Sequence, residues 1–127
     1  MNVTDIGRMA LAVSALAIAG CGPSSPPAVS FNEEVKPILD RYCLECHAAG
    51  TSGYEMSGFS VETYDDLMKG TRYGPTVIAG DPFNSNLIIL IEGRADPAIK
   101  MPHDNTKIFS THVETLKAWV DQGAANN

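Results

Sequence analysis

Residues 30–47 read SFNEEVKPILDRYCLECH, and this stretch decides the architecture. Phe31, Val35, Ile38, Leu39, Tyr42 and Cys46 recur at helical spacing, which predicts a helix with one apolar face. Ser30 followed by Glu33 has the form of a capping box and marks its start. Pro37 conflicts with that pattern, because a mid-helix proline loses a hydrogen bond and crowds the preceding turn. Either the helix kinks at Pro37 or its regular part begins there. The segment ends in Cys43-Leu44-Glu45-Cys46-His47. Two thiols three positions apart lie on one side of a helical turn, where they can add to the two vinyl groups on one haem edge. The next residue can then bring its imidazole under the iron. This is the C-x-x-C-H haem-attachment signature, with His47 as an axial ligand. A thioredoxin-like pair or half of a zinc site is a weaker reading. No βαβ pattern surrounds the motif, and His103 and His112 lack zinc-finger spacing.

A second axial ligand is sought among five methionines. Met101 lies in Asp96-Pro97-Ala98-Ile99-Lys100-Met101-Pro102, where the following proline favours extended backbone. A rigid extended loop can hold a thioether against iron, so Met101 is the expected sixth ligand, with His103 as the alternative. Met56 and Met68 read as packing residues, and His112 as a solvated residue opening the last helix.

Toward the N-terminus, Met9–Ala19 is an apolar run too short to span a bilayer, which takes roughly 20 residues. It fits the apolar core of an export signal. The run ends in Ile18-Ala19-Gly20-Cys21, similar to the lipobox of bacterial lipoproteins, in which the cysteine receives a lipid. The leader is less basic than most such signals, with Arg8 set against Asp5. Residues 1–20 are therefore read as a lipoprotein signal peptide and residues 21–29 as lipidated Cys21 with a Pro/Ser tether. Residues 30–127 are read as one folded domain. A flexible tether of that length searches roughly 15 Å.

Beyond the motif, Ser60–Lys69 predicts a short helix with a serine cap and a Gly70 stop. Gly80-Asp81-Pro82-Phe83-Asn84-Ser85-Asn86 is turn chemistry leading into the apolar run Leu87–Ile91. That run could be strand or helix and is read as helix because its neighbours are helical. Ser110–Gln122 predicts the last helix. Thr111 and Glu114 form its capping box, Val113, Leu116, Trp119 and Val120 its apolar face, and Gly123 its stop. Trp119 is expected to pack between this helix and the first.

The 127 residues suffice for one domain, and 44% hydrophobic against 19% charged residues permits a packed core. A formal net charge of −6 argues against nucleic acid and against electrostatic docking on an anionic membrane surface.

Residues 31–124 resemble the planctomycete-type cytochrome c domain, a branch of the class I cytochrome c fold. The matching residues are Phe31, Val35-Lys36-Pro37-Ile38-Leu39, Cys43, Cys46 and His47, Gly80-Asp81-Pro82 with Ser85 and Leu87, Met101-Pro102, and Trp119-Val120 with Gly123-Ala124. The resemblance implies an all-α fold whose N- and C-terminal helices pack beside one covalently bound haem c. It implies axial ligation by His47 and Met101, and electron transfer with separate redox partner proteins. His103 departs from the pattern, since relatives often have proline or a small residue there. The expected setting is the periplasmic side of a membrane, with the lipid on Cys21 as anchor. Alternatives are a haem subunit of a larger dehydrogenase, or a peroxidase or gas sensor needing an open sixth site.

Overall fold

The structure is a computed structural model that describes residues 26–104 and 106–127. The expected signal peptide (residues 1–20) and Cys21 lie outside the described residues. Among those described there are five α-helices and no strand, so the fold is all-α. The helices are α1 (Lys36–Tyr42), α2 (Ser52–Ser57), α3 (Tyr64–Lys69), α4 (Asn86–Glu92) and α5 (Ser110–Asp121). No helix among these residues is long and apolar enough to cross a membrane.

The helical path starts at Ser30, whose hydroxyl accepts the Glu33 N–H at 3.2 Å. The return bond of the expected box comes from the next residue: the Ser30 N–H donates to Glu34 Oε2 at 2.9 Å. Phe31–Val35 form a π-type turn, and the α-helix proper begins at Lys36. Pro37 thus occupies the first turn of α1, where its missing N–H costs nothing. Of the two readings of Pro37, the regular helix begins there.

This first segment packs against α5. Phe31 lies 5.6 Å from Trp119 and 5.1 Å from Tyr64, ring to ring, and Tyr64 meets Trp119 edge-on at 6.4 Å. Val35, Leu39, Leu67, Ile88, Leu116 and Val120 complete a buried core around Trp119. The expected placement of Trp119 between first and last helices is observed. Main-chain stitches reinforce it. The Asn32 N–H donates to the Asn127 carbonyl at 3.0 Å, and the Phe31 N–H to Asn127 Oδ1 at 2.8 Å. At the other flank, Gln122 Oε1 accepts the Val29 N–H at 2.8 Å and Gln122 Nε2 donates to the Pro27 carbonyl at 3.3 Å.

Several boundaries differ from those expected. Helix α1 stops at Tyr42 rather than running through His47, so Cys46 is exposed instead of continuing the apolar face. Helix α3 begins at Tyr64 with Thr63 as its cap, Oγ1 accepting the Asp66 N–H at 3.1 Å. Ser60 instead accepts the Glu62 N–H at 3.2 Å in the preceding loop. Helix α5 begins at Ser110 as expected, but that places Thr111 inside it, so no Thr111–Glu114 box forms, and Phe109 holds the cap position without a side-chain bond. Leu87–Ile91 is helical, as read. Ser85 precedes it but does not cap it. The buried Ser85 hydroxyl donates to the Asp81 carbonyl at 2.8 Å and accepts the Ile78 N–H at 2.8 Å, tying the Gly80–Ser85 turn shut.

Candidate functional site

The Cys43–His47 segment is a hydrogen-bonded turn grafted on the end of α1. The Cys43 carbonyl accepts the Cys46 N–H at 3.2 Å and the His47 N–H at 2.9 Å. The two cysteines thus share one hydrogen-bonded turn although the α-helix has ended. The two thiols differ in surroundings. Cys46 is exposed, whereas Cys43 is half-buried and packs against the core. Burial pushes the Cys43 thiol up to about 12, and the neighbouring Cys46 and Asp40 push in the same direction.

This difference carries a prediction for the haem-free chain. Below pH 9.0, the ordinary thiol value, Cys43 is neutral both folded and unfolded. As pH rises from there toward about 12, the unfolded chain gains by ionising Cys43 and the folded chain does not, so stability falls over that window. Alkylation followed by peptide mapping should label Cys46 before Cys43 at neutral pH. Equal labelling rates would contradict the asymmetry.

His47 is fixed from several sides. Its carbonyl accepts the Val61 N–H at 3.0 Å, and its ring meets Phe59 edge-on at 5.2 Å. Helix α2 supplies the floor. The Thr51 hydroxyl donates to the Cys46 and Ala48 carbonyls, the latter at 2.8 Å. Gly53 lies so close that a Cβ there would collide with the Cys46 carbonyl oxygen and come within 3.0 Å of the His47 ring. Glycine inside an exposed helix usually costs roughly 1 kcal/mol relative to alanine. Here the collision reverses the sign. Gly53→Ala should lower the melting temperature and the haem-loaded fraction; a gain in either would refute the close approach.

Burial lowers the pKa of His47 despite the nearby Phe59 carbonyl, which favours the charged ring; the neighbouring His103 lowers it further. The neutral imidazole that results is the form that coordinates a metal. His47 Nδ1 is buried with no hydrogen-bond partner.

The other candidate ligands, Met101 and His103, lie in the loop after α4. Asp96 opens that loop by capping a 3₁₀ turn, Pro97–Ile99. The Met101 N–H donates to the Leu90 carbonyl at 3.1 Å, anchoring the methionine to the end of α4. Met101 and His103 line a cavity of about 490 Å³ with Ile91, Lys100, Ile108 and Val113. That volume lies within the usual range of small-molecule and cofactor sites, roughly 300–1,000 Å³. Cys43, Cys46 and His47 do not line it.

Two expected roles are corrected. Met56 is 77% exposed and packs nothing, because it sits on the outer side of the six-residue α2. His112 is not simply solvated: its Nδ1 lies 3.2 Å from the Tyr42 hydroxyl, joining α5 to the end of α1 beside Cys43. Met68 does pack against the core. Helix α2 was invisible to periodicity, since Gly50, Gly53 and Gly58 read as a loop. The Thr51-Ser52 pair at its start was the available signal.

Residues 43–105 match the family described as planctomycete cytochrome C. The chain carries a planctomycete-type cytochrome c domain. No curated protein and no solved structure matches it. The family binds haem c and carries electrons, and the donor set fits that group. Two thiols, an imidazole with an unpartnered ring nitrogen, and a thioether beside a cavity of mixed polar and apolar lining are the side-chain types a c-type haem takes. For the cytochrome c domain, the candidate ligands thus fall on two segments, the C-x-x-C-H turn and the Met101 loop.

Proposed function

We propose that this cytochrome is a single-haem electron carrier, tethered at the periplasmic face of a membrane through lipid on Cys21 and serving separate redox proteins. The observation that carries the reading is the hydrogen-bonded Cys43–His47 turn, which presents two thiols and a half-buried imidazole together within the segment that matches the family. In this reading Cys43 and Cys46 would hold the haem covalently as thioethers, and the His47 imidazole and the Met101 thioether would bind its iron. Haem, once bound, supplies one-electron exchange at iron. The chain's residues set its potential and keep water away: Phe59 and Val61 wall the histidine side, and Ile91, Ile108 and Val113 the methionine side. A thioether ligand raises the potential relative to a second imidazole. The apolar run before Cys21 and the export typical of this family support the location.

The test is a redox-resolved visible spectrum of wild type and Met101→Ala. The wild-type ferric spectrum should show the far-red methionine-to-iron band. The variant should lose it and show a lower potential. His103 lines the same cavity and is the second candidate ligand. Were His103 the ligand, Met101→Ala would leave the spectrum unchanged and His103→Ala would alter it. Fast carbon monoxide binding by the wild type would instead favour a peroxidase or sensor.

A further inference from the structure

The end of α1 meets the start of α5 in a cluster of three rings and one guanidinium. Arg41, exposed, lies 5.4 Å from the Tyr42 ring centroid and 5.8 Å from that of Phe109. His112 braces both rings: its Nδ1 lies 3.2 Å from the Tyr42 hydroxyl, and its ring meets Phe109 edge-on at 5.6 Å. The arginine is thus held by stacking and not by a salt bridge. Asp40 beside it is engaged by Lys36. Glu45, four positions on, would reach it along a continuous helix, but α1 has ended at Tyr42. On the α5 side, Glu114 is engaged by Lys117. Elsewhere Arg94 pairs with Glu92, and Arg72 donates to the Glu55 carbonyl. Among the described residues the Arg41 guanidinium forms no ion pair and no hydrogen bond. Lys107, exposed two positions before Phe109, forms no ion pair there either.

This corner differs from the chain as a whole, which has 15 acidic and 9 basic residues. An acidic protein surface is repelled by the net charge and drawn to the uncommitted cations. Phe109 is 58% exposed, so its ring offers apolar area next to that charge. Arginine and aromatic side chains are the types that anchor protein interfaces. Stacking fixes the guanidinium before contact, which lowers the ordering cost of pairing it with a carboxylate. Arg41 also stands two positions before Cys43, so a protein seated on it borders the Cys43–His47 turn.

We propose that Arg41 and Phe109 form a docking surface for an acidic redox protein, Arg41 pairing with a carboxylate of the partner and Phe109 packing on an apolar side chain beside it. The inference names the partner chemistry of the electron carrier read above and rests on that reading for its role. The contact itself requires no haem.

The test follows backbone amide shifts of the ferrous, haem-loaded full chain titrated with an acidic hexapeptide of glutamate and leucine. The counterpart with lysine for glutamate, and hexaglutamate, serve as controls. Shifts should centre on residues 41–42 and 107–112 and fade with added salt. Arg41→Gln should weaken binding by roughly two- to five-fold, the usual weight of an exposed ion pair. Lys69→Gln, which removes an exposed lysine on α3, should change it less. Arg41→Lys should recover only part of the loss, because lysine keeps the charge and loses the planar stack. Phe109→Ala should bring the leucine-containing peptide down to the affinity of hexaglutamate. A haem-loaded chain whose amides ignore the acidic peptide, or whose Arg41→Gln variant matches Lys69→Gln, overturns the docking surface alone. If those amides respond instead to protein concentration or to phosphatidylglycerol vesicles, the corner serves a second copy or a membrane and the proposal is wrong. A chain that binds the peptide at this corner but carries no haem upholds the contact and removes the electron-carrier reading.

Discussion

A chain with Cys43 and Cys46 both changed to alanine should carry no haem after denaturing electrophoresis, whereas either single variant should retain some. The expected effect is all-or-none because the two kinds of bond differ in kind. A thioether survives unfolding; a histidine–iron bond depends on the folded turn that presents His47. Under native conditions the thioethers also hold the haem at high effective concentration beside the imidazole, commonly millimolar or above for short links. The double variant loses that advantage, so its native haem content should fall as well. Haem staining and intact mass check both parts. Covalent haem persisting without the two thiols would refute their role.

Trp119→Ala should cost about 3–5 kcal/mol, the usual range for deleting a buried tryptophan. The indole is 1% exposed and contacts Phe31 and Tyr64. Its Nε1–H donates to the Ala125 carbonyl at 2.9 Å, so truncation also leaves that acceptor without its partner. Collapse is restricted, because the surrounding positions belong to three segments stitched by hydrogen bonds: the Tyr64 hydroxyl to the Ala124 carbonyl at 2.8 Å, Ala124 N–H to the Trp119 carbonyl at 2.8 Å, and Gly80 N–H to the Val120 carbonyl at 2.7 Å. Domains of this size have a total stability of about 5–15 kcal/mol, so the loss is a large share of the whole. Denaturant unfolding of the haem-loaded protein measures it. A cost below about 1 kcal/mol would show that Trp119 is not the keystone of the interface.

The features legible in the sequence are those written in local spacing. The apolar faces of the first and last helices, the Cys43–His47 motif and the Trp119-Val120/Gly123-Ala124 pattern all follow from the period of a helix or from one turn of it. What escaped is set by contacts distant in sequence. The Tyr42–His112 pair spans 70 positions, and no local rule indicates it. The missing Thr111–Glu114 box has the same origin. The exposed Phe109 ring meets His112 edge-on and receives the Arg41 guanidinium, so tertiary stacking rather than capping sets where α5 begins. Helix α2 has too few residues for a period to show, and the requirement for Gly53 appears only with the Cys46 carbonyl above it. In the site, the cysteines, His47 and Met101 were readable as chemistry. The stack of Arg41 on Phe109 was not, because the two stand far apart in sequence.

The grip of Gln122 on Pro27 and Val29 sets a load path. Force transmitted along the segment that precedes Pro27 enters the molecule at the end of α5 and the Phe31–Trp119 contact. The Cys43–His47 turn lies on the far side of α1 from that entry point in the chain. A pull applied at Pro27 would thus be borne first by the packing of α5 on the first helical segment, ahead of the Cys43–His47 turn in the chain.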